Sequence, residues 1–374
     1  MKNACDRQWI KYFQSQPDCG IIRRMSDQNP YRNILVRSLN WIGDAIMATP
    51  ALAAVRQTFP AARITLLANP VVGQLFLQHP WVDQVVSFDR TGSHRGLAGR
   101  LRLAKELRQQ HYDLALILPN SFDAALVPFL AGIPARFGKA SDGRSLMLTR
   151  RYHAQELENP HEVQYYRALL ESFAIRGDVA QPLLVTAPDE DAAARQLLSE
   201  HGIAASDLLL GINAGATFGS AKRWYPERFA AVAQRLAAQW GTRVILFGGP
   251  DEVELVAAIE QHLEGHCLNL AGKTTVRQLM ALIKRCDFFV TNDSGPMHIA
   301  AAFGVPLVAV FGPTDHVGTA PCSERAVVVR QATECAPCKL RACPADHRCM
   351  TSVTVEDVVQ AANHLWQNKG VKKR

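Results

Sequence analysis

Two successive series of short apolar runs, each alternating with helix-period stretches, constrain the fold of this chain more than any other feature. In the first series, strand-like runs fall at 33–38, 63–69, 84–88 and 113–119, with helical patterns at 44–58, 96–110 and 121–131. In the second, strand-like runs at 207–213, 243–249, 267–271, 287–292 and 306–312 alternate with helical patterns at 226–240, 251–264, 275–285 and 295–303. Such alternation builds parallel sheets covered by helices. The 374 residues suffice for two units of this kind. The expected organisation is an extension at 1–30, an α/β unit at 31–190, a linker region at 191–206, a second α/β unit at 207–353, and a C-terminal helix with a basic tail at 354–374. The turn signals Gln181-Pro182 and Ala187-Pro188 mark the approach to the linker. Two such units facing each other leave a cleft, which suits a reaction between two substrates, one held by each half.

Composition narrows the class. A chain with 48% hydrophobic and 20% charged residues is globular rather than disordered. No apolar stretch approaches the roughly 18 residues that span a bilayer. Residues 1–30 intersperse Lys2, Asp6, Arg7, Lys11, Asp18, Arg23 and Arg24, unlike a secretory signal, so the expected location is the cytoplasm. The net charge of +7 has a local excess: Arg90, Arg95, Arg100, Arg102, Lys105 and Arg108 face only Asp89 and Glu106. That run is either a solvated helix face or an attractor for an anionic partner or membrane surface. Nucleic acid is disfavoured, because no aromatic-rich or zinc-finger pattern accompanies the basic residues.

The first strand leads into Trp41-Ile42-Gly43-Asp44, and Asp44 is the only carboxylate between Asn33 and Pro50. An Asp where a helix begins caps it by accepting backbone N–H bonds. The carboxyl end of a strand in an open α/β sheet is also where such folds hold ligands, so a catalytic role stands beside the cap. Pro50 falls within the helical pattern at 44–58, where it is expected to bend the helix.

In the second half, the loop Gly215 to Trp224 combines small residues with Thr217, Ser220 and Lys222, a composition suited to a diphosphate as well as to an ordinary surface turn. Asn292-Asp293-Ser294-Gly295-Pro296-Met297-His298 runs from a strand directly into a helix, where backbone N–H groups bind anions. Asp293 either caps that helix or holds sugar hydroxyls; His298 is either buried or a phosphate contact. Asp251 and Glu252, after the second strand of this unit, both qualify to meet ribose hydroxyls. Other matches fail. Ala271-Gly272-Lys273-Thr274 lacks the earlier glycine of a P-loop, since Cys267 stands there, and His161-Glu162 lacks the second histidine of a zinc protease. Asp189-Glu190-Asp191 has the acidic spacing of metal-dependent sugar transfer but sits at a helix start, where capping is the favoured use.

Together these residues resemble the ADP-heptose:lipopolysaccharide heptosyltransferases, glycosyltransferase family nine. The likeness runs from about Asn33 to about Val359, through Asn40 to Met47, Leu118 to Phe122, Ala131 to Arg136, Gly215 to Trp224 and Thr291 to Gly295. It implies a GT-B architecture of two Rossmann-like domains across a cleft, acceptor in the first and ADP-heptose in the second. It implies inverting heptose transfer to a lipopolysaccharide inner-core acceptor, with no cofactor and no catalytic metal. Asp44 then matches the general base and Lys222 the lysine that stabilises the departing diphosphate. Thr217, Asp251, Asp293, Ser294, Gly295 and His298 match donor contacts, and Arg136 becomes a candidate for attracting the anionic acceptor. The implied partners add peripheral contact with the inner face of the inner membrane. A nucleotide-sugar epimerase or a non-catalytic nucleotide-binding protein are the competing classes. Residues 1–30 lie outside the likeness and receive no functional reading. The tail adds Cys335, Cys338, Cys343 and Cys349, with three readings: structural zinc, free thiols of a reducing compartment, or disulfides.

Overall fold

The computed structural model describes residues 31–152, 161–265 and 267–368. These form two six-stranded, wholly parallel sheets. The first contains β1 (Asn33–Arg37), β2 (Arg63–Ala68), β3 (Gln84–Ser87), β4 (Leu114–Ile117), β5 (Ala135–Lys139) and β6 (Arg150–Tyr152), in the order β3-β2-β1-β4-β5-β6. The second contains β7 (Leu209–Asn213), β8 (Arg243–Phe247), β9 (Cys267–Asn269), β10 (Phe288–Asn292), β11 (Leu307–Val310) and β12 (Ala326–Val329). Read from its other edge, its order is β9-β8-β7-β10-β11-β12, the same doubly wound plan. In each sheet the order reverses between two central strands, β1 and β4 or β7 and β10, and the crevice at that reversal is where such sheets bind ligands.

Helices cover both sheets. The first lobe carries α1 (Ile42–Met47), α2 (Thr49–Thr58), α3 (Pro70–Leu75), α4 (Gly96–Arg108), α5 (Phe122–Leu130) and α6 (Glu162–Glu171). Then follow α7 (Pro188–Glu200), α8 (Pro226–Trp240), α9 (Val253–Gln261), α10 (Val276–Arg285), α11 (Gly295–Ala302), α12 (Arg348–Thr351) and α13 (Val355–Asn368). The pattern at 44–58 is two helices rather than one bent at Pro50. The chain breaks at Ala48, and Pro50 sits in the first turn of α2, where its missing N–H costs no helical bond. The strands β5, β6 and β12 and the helices α3 and α6 lie outside the elements expected from periodicity, and α7 continues the helix start read at 189–191. β6 and β12 are short edge strands that stay largely unburied, and such strands carry a weak apolar signal.

Across the start of the 191–206 segment, α7 packs on α10 through Ala194 and Leu198. Glu190 makes a two-point ion pair to Arg277, at 2.7 and 2.5 Å, and Asp191 meets Lys284 at 2.7 Å. Glu190 also accepts the Ala187 N–H at 2.7 Å, so this acidic triplet caps and clasps its helix. The last helix, α13, stays on the second sheet, with Trp366 stacked on Trp240 at a centroid distance of 4.1 Å.

The lobes meet through α1 and α11, which pack directly on each other. A Cβ on Gly43 would lie 2.6 Å from His298 Cδ2, and one on Gly295 would lie 2.9 Å from Ile42 Cβ. Each helix therefore needs its glycine to admit the other's side chain. One apolar cluster runs through this contact, from Ile46 and Leu52 to Met280 and Ile299.

Candidate active site

The carboxyl ends of β1, β7 and β10 open on a single cleft of about 1730 Å³ between the lobes. Single-ligand pockets run to roughly 1,000 Å³, so this one has room for more than one substrate. Asp44, Thr217, Lys222, Asp251, Asp293, Ser294, Gly295 and His298 all line it. Two predicted features do not join them, Arg136 and the cysteine group.

On the first lobe, the loop into α1 is fixed from beneath by Arg37, the last residue of β1, which is 2% exposed. Its guanidinium donates to Asn40 Oδ1 at 2.9 Å and to the Leu67 carbonyl at 3.2 Å, and lies over the Phe88 ring. Burial lowers its pKa to about 10, so it remains a cation near neutral pH. Asn69 completes the anchorage by donating to the Asn40 carbonyl at 2.8 Å. The turn Trp41-Ile42-Gly43-Asp44 is thereby held from beneath, with Ile42 packed against the facing helix. Trp41 occupies the cap position of α1 with no side-chain cap bond, and Asp44 stands in the first turn. The cap reading of Asp44 does not describe this geometry. Burial, then the negative charge of Glu162, push its carboxyl up to about 6; Lys222 acts in the opposite sense, and Asp293 reinforces the rise.

On the second lobe, two buried asparagines that periodicity treats as strand ends staple the cleft-lining loops together. Asn213 donates to the Gly215 carbonyl and to Ser294 Oγ, both at 3.2 Å. Asn292 donates to the Ala214 carbonyl at 2.6 Å and accepts the Trp224 N–H at 3.1 Å. The only sequence signal for them was an amide at the end of each central strand. Lys222 is thus brought to Asp293, 2.6 Å away, and Thr314 donates to the same carboxylate oxygen at 2.6 Å. Asp293 is 4% exposed, so the lysine answers a buried charge. His298 is buried against Gly43, and burial pushes it down to about 4, leaving a neutral ring. Asp251 is exposed at the cleft wall, whereas Glu252 turns inward, accepts the Gly249 N–H at 2.8 Å and fills the space beside Gly215.

Arg136 is used elsewhere. Its guanidinium donates to the Met147 carbonyl at 2.6 Å and to that of Ile133, and lies over Phe129, which ties a turn of the first lobe and keeps it out of the cleft wall. Of the basic run, Arg90 and Arg100 reach the cleft, both paired with Asp123. Cys335, Cys338, Cys343 and Cys349 are free thiols. They lie near enough for the other three to raise the Cys349 thiol after burial does so, yet among the described residues no three His, Cys, Asp or Glu side chains form a metal-binding group. Their loop is held by hydrogen bonds to its neighbours. The Ala221 N–H donates to the Arg341 carbonyl at 3.0 Å, the Lys339 N–H to that of Pro313 at 2.8 Å, and His347 Nε2 to that of Ala221 at 2.7 Å. The cysteine loop thus braces the loop that carries Lys222.

Two doubly wound α/β lobes facing each other across a shared cleft have the GT-B architecture. Residues 100–348 match glycosyltransferase family 9 (heptosyltransferase). The chain is 32% identical to lipopolysaccharide heptosyltransferase 2 of Salmonella typhimurium over 90% of its length and 99% of the relative's. It is 35% identical to lipooligosaccharide heptosyltransferase 2 of Haemophilus influenzae, over 80% and 88%. Among solved structures, Escherichia coli ADP-heptose lps heptosyltransferase II superposes with a TM-score of 0.77 at 31% identity, covering 89% of this chain and 98% of that one. A glycosyl transferase family 9 protein from Veillonella parvula gives 0.83 at 26% identity, covering 90% and 98%. The chain belongs to glycosyltransferase family 9 and is a glycosyltransferase. These relatives are heptosyltransferases of lipopolysaccharide and lipooligosaccharide.

Proposed function

We propose that this enzyme moves L-glycero-D-manno-heptose from ADP-heptose to a heptosyl-Kdo2-lipid A acceptor, with inversion and without a catalytic metal. The observation that carries the reading is Asp44, a half-buried carboxylate raised to about 6, facing the Lys222–Asp293 pair across one cleft. A base with a pKa near working pH is ionised yet still takes a proton readily. Asp44 removes the acceptor hydroxyl's proton as that oxygen bonds to the sugar's anomeric carbon. The bond from that carbon to the diphosphate oxygen breaks on the opposite face, and its electron pair leaves with ADP. Lys222 stabilises the negative charge gathering there, with Thr217, Ser294, Gly295 and His298 around the donor and Asp251 at the ribose. Asp293, already holding Lys222 and Thr314, faces the heptose. Arg90 and Arg100, which line the cleft, take the role of attracting the anionic acceptor in this reading in place of Arg136.

Among the described residues no helix is long and apolar enough to cross a membrane, and the proposed station is peripheral, at the inner face of the inner membrane. Incubation with ADP-heptose and a panel of truncated lipopolysaccharides, read by mass, tests the assignment. One added heptose on the heptosyl-bearing acceptor is expected. Addition only to a different truncation would point to another heptosyltransferase activity, and an altered nucleotide sugar formed without acceptor would point to an epimerase.

A further inference from the structure

A second carboxylate lines the same cleft and has no part in the scheme above. Glu162 is the first residue of α6, and its backbone N–H donates to the Gly318 carbonyl of the opposite lobe at 2.9 Å. The preceding His161 accepts the Val163 N–H on Nδ1 at 3.2 Å, so its Nε2 carries the hydrogen and donates to the Ala320 carbonyl at 2.9 Å. Both bonds reach the segment that follows β11. The start of α6 is therefore fixed by contact between the lobes, and that contact sets where the Glu162 side chain stands. Its carboxylate accepts a hydrogen bond from Tyr166, one helical turn on. By contrast, no side-chain hydrogen bond to the Asp44 carboxylate is seen among the described residues, and Glu162 is the foremost charged neighbour acting on it.

We propose that Glu162 is a positioning residue for acceptor activation: seated by the contact between lobes, its negative charge beside Asp44 keeps that carboxylate a strong enough base to take the acceptor's proton. The inference rests on the reading of Asp44 as the base. The other charges facing the pair are Lys222 and Asp293 from the second lobe's loops, Lys339 from the cysteine loop, Asp315 from the segment after β11, and Lys139 at the end of β5. The neighbouring His298 is neutral near working pH. Like charges brought together raise the proton affinity of the one that titrates later, and the two carboxylates titrate as a pair. Burial raises Glu162 as well, and the Tyr166 hydroxyl and Lys339 oppose that rise.

The test is the acid limb of kcat/KM against pH for the full chain with ADP-heptose and acceptor. Glu162→Gln should remain active, lower the plateau, and move that limb down by roughly one pH unit. Glu162→Asp, which retains the charge, should bring the limb back toward the wild-type position. Should Glu162→Gln fail to fold, Tyr166→Phe carries the test. Loss of its hydroxyl lets Glu162 take up a proton earlier, so the limb should move the same way by less. A static limb in whichever variant folds, with Asp44→Asn inactive, overturns the role of Glu162 alone. Near-normal turnover in Asp44→Asn would remove the base itself, and the inference with it.

Discussion

Asp44 and Asp293 each follow a strand at the point where a sheet reverses its order, yet the two lobes treat them in opposite ways. The second lobe surrounds Asp293 with Lys222 and Thr314, each 2.6 Å from one carboxylate oxygen. Among the described residues Asp44 has no such partner, and it stands where burial and Glu162 raise it to about 6. One strand plan therefore yields a hydrogen-bonded acid on the second lobe and one without such bonds, among the described residues, on the first. The first is suited to hold and orient, the second to accept a proton.

The largest expected effect comes from erasing the first lobe's carboxylate. Asp44→Asn should lower kcat by about 10²–10⁴-fold while calorimetry shows ADP-heptose binding unchanged. Comparable turnover in that variant would end the contrast between the lobes. Breaking the hydrogen-bonded member comes next. Lys222→Ala should cost about 10²–10³-fold in kcat, weaken donor binding, and lower stability by about 3–5 kcal/mol, because Asp293 is left buried without its cation. A denaturant titration beside the kinetics would separate the two losses.

The contrast also has a pH signature. As the proposed base Asp44 acts ionised, so kcat/KM of the wild type should rise through pH about 6 and fall away below it. The stability effect has the opposite sense. A carboxyl held at about 6 in the folded chain, against an ordinary 3.8, binds its proton more tightly folded than unfolded. That contribution is complete below pH 3.8 and is lost as pH rises to about 6. Asp44→Asn should therefore match the wild type in acid and exceed it near neutral pH by about 1–3 kcal/mol, read as a pH-dependent gap in Tm. Equal Tm at both ends would mean the site is not strained by its charge. The smallest effect is steric. Gly43→Ala drives a methyl group to within 2.6 Å of His298 Cδ2 and should cost about 1–3 kcal/mol by thermal denaturation, with activity reduced by the disturbed lobe contact.

The sequence made the central strands, their alternation with helices and the chemistry-bearing loops legible, because buried parallel strands read as continuous apolar runs bounded by turns. It also offered Asp44 as either cap or base. The side chain's lack of a capping bond was out of reach, since that depends on where α1 begins, one residue after Trp41 rather than at Asp44. Arg136 illustrates the converse. A guanidinium satisfied by backbone carbonyls looks, in sequence, the same as one waiting for an anion.

What the sequence determined was local: which segments are apolar, where the chain turns, and which residue types stand at the ends of the central strands. Tertiary structure decided the rest. The ionisation of Asp44, the seating of Glu162 and the pairing of Lys222 with Asp293 all depend on groups at least 70 residues apart along the chain. Periodicity reports each segment's own preference for water or core. Charge acts through space, so its consequences appear only once the two lobes are brought face to face.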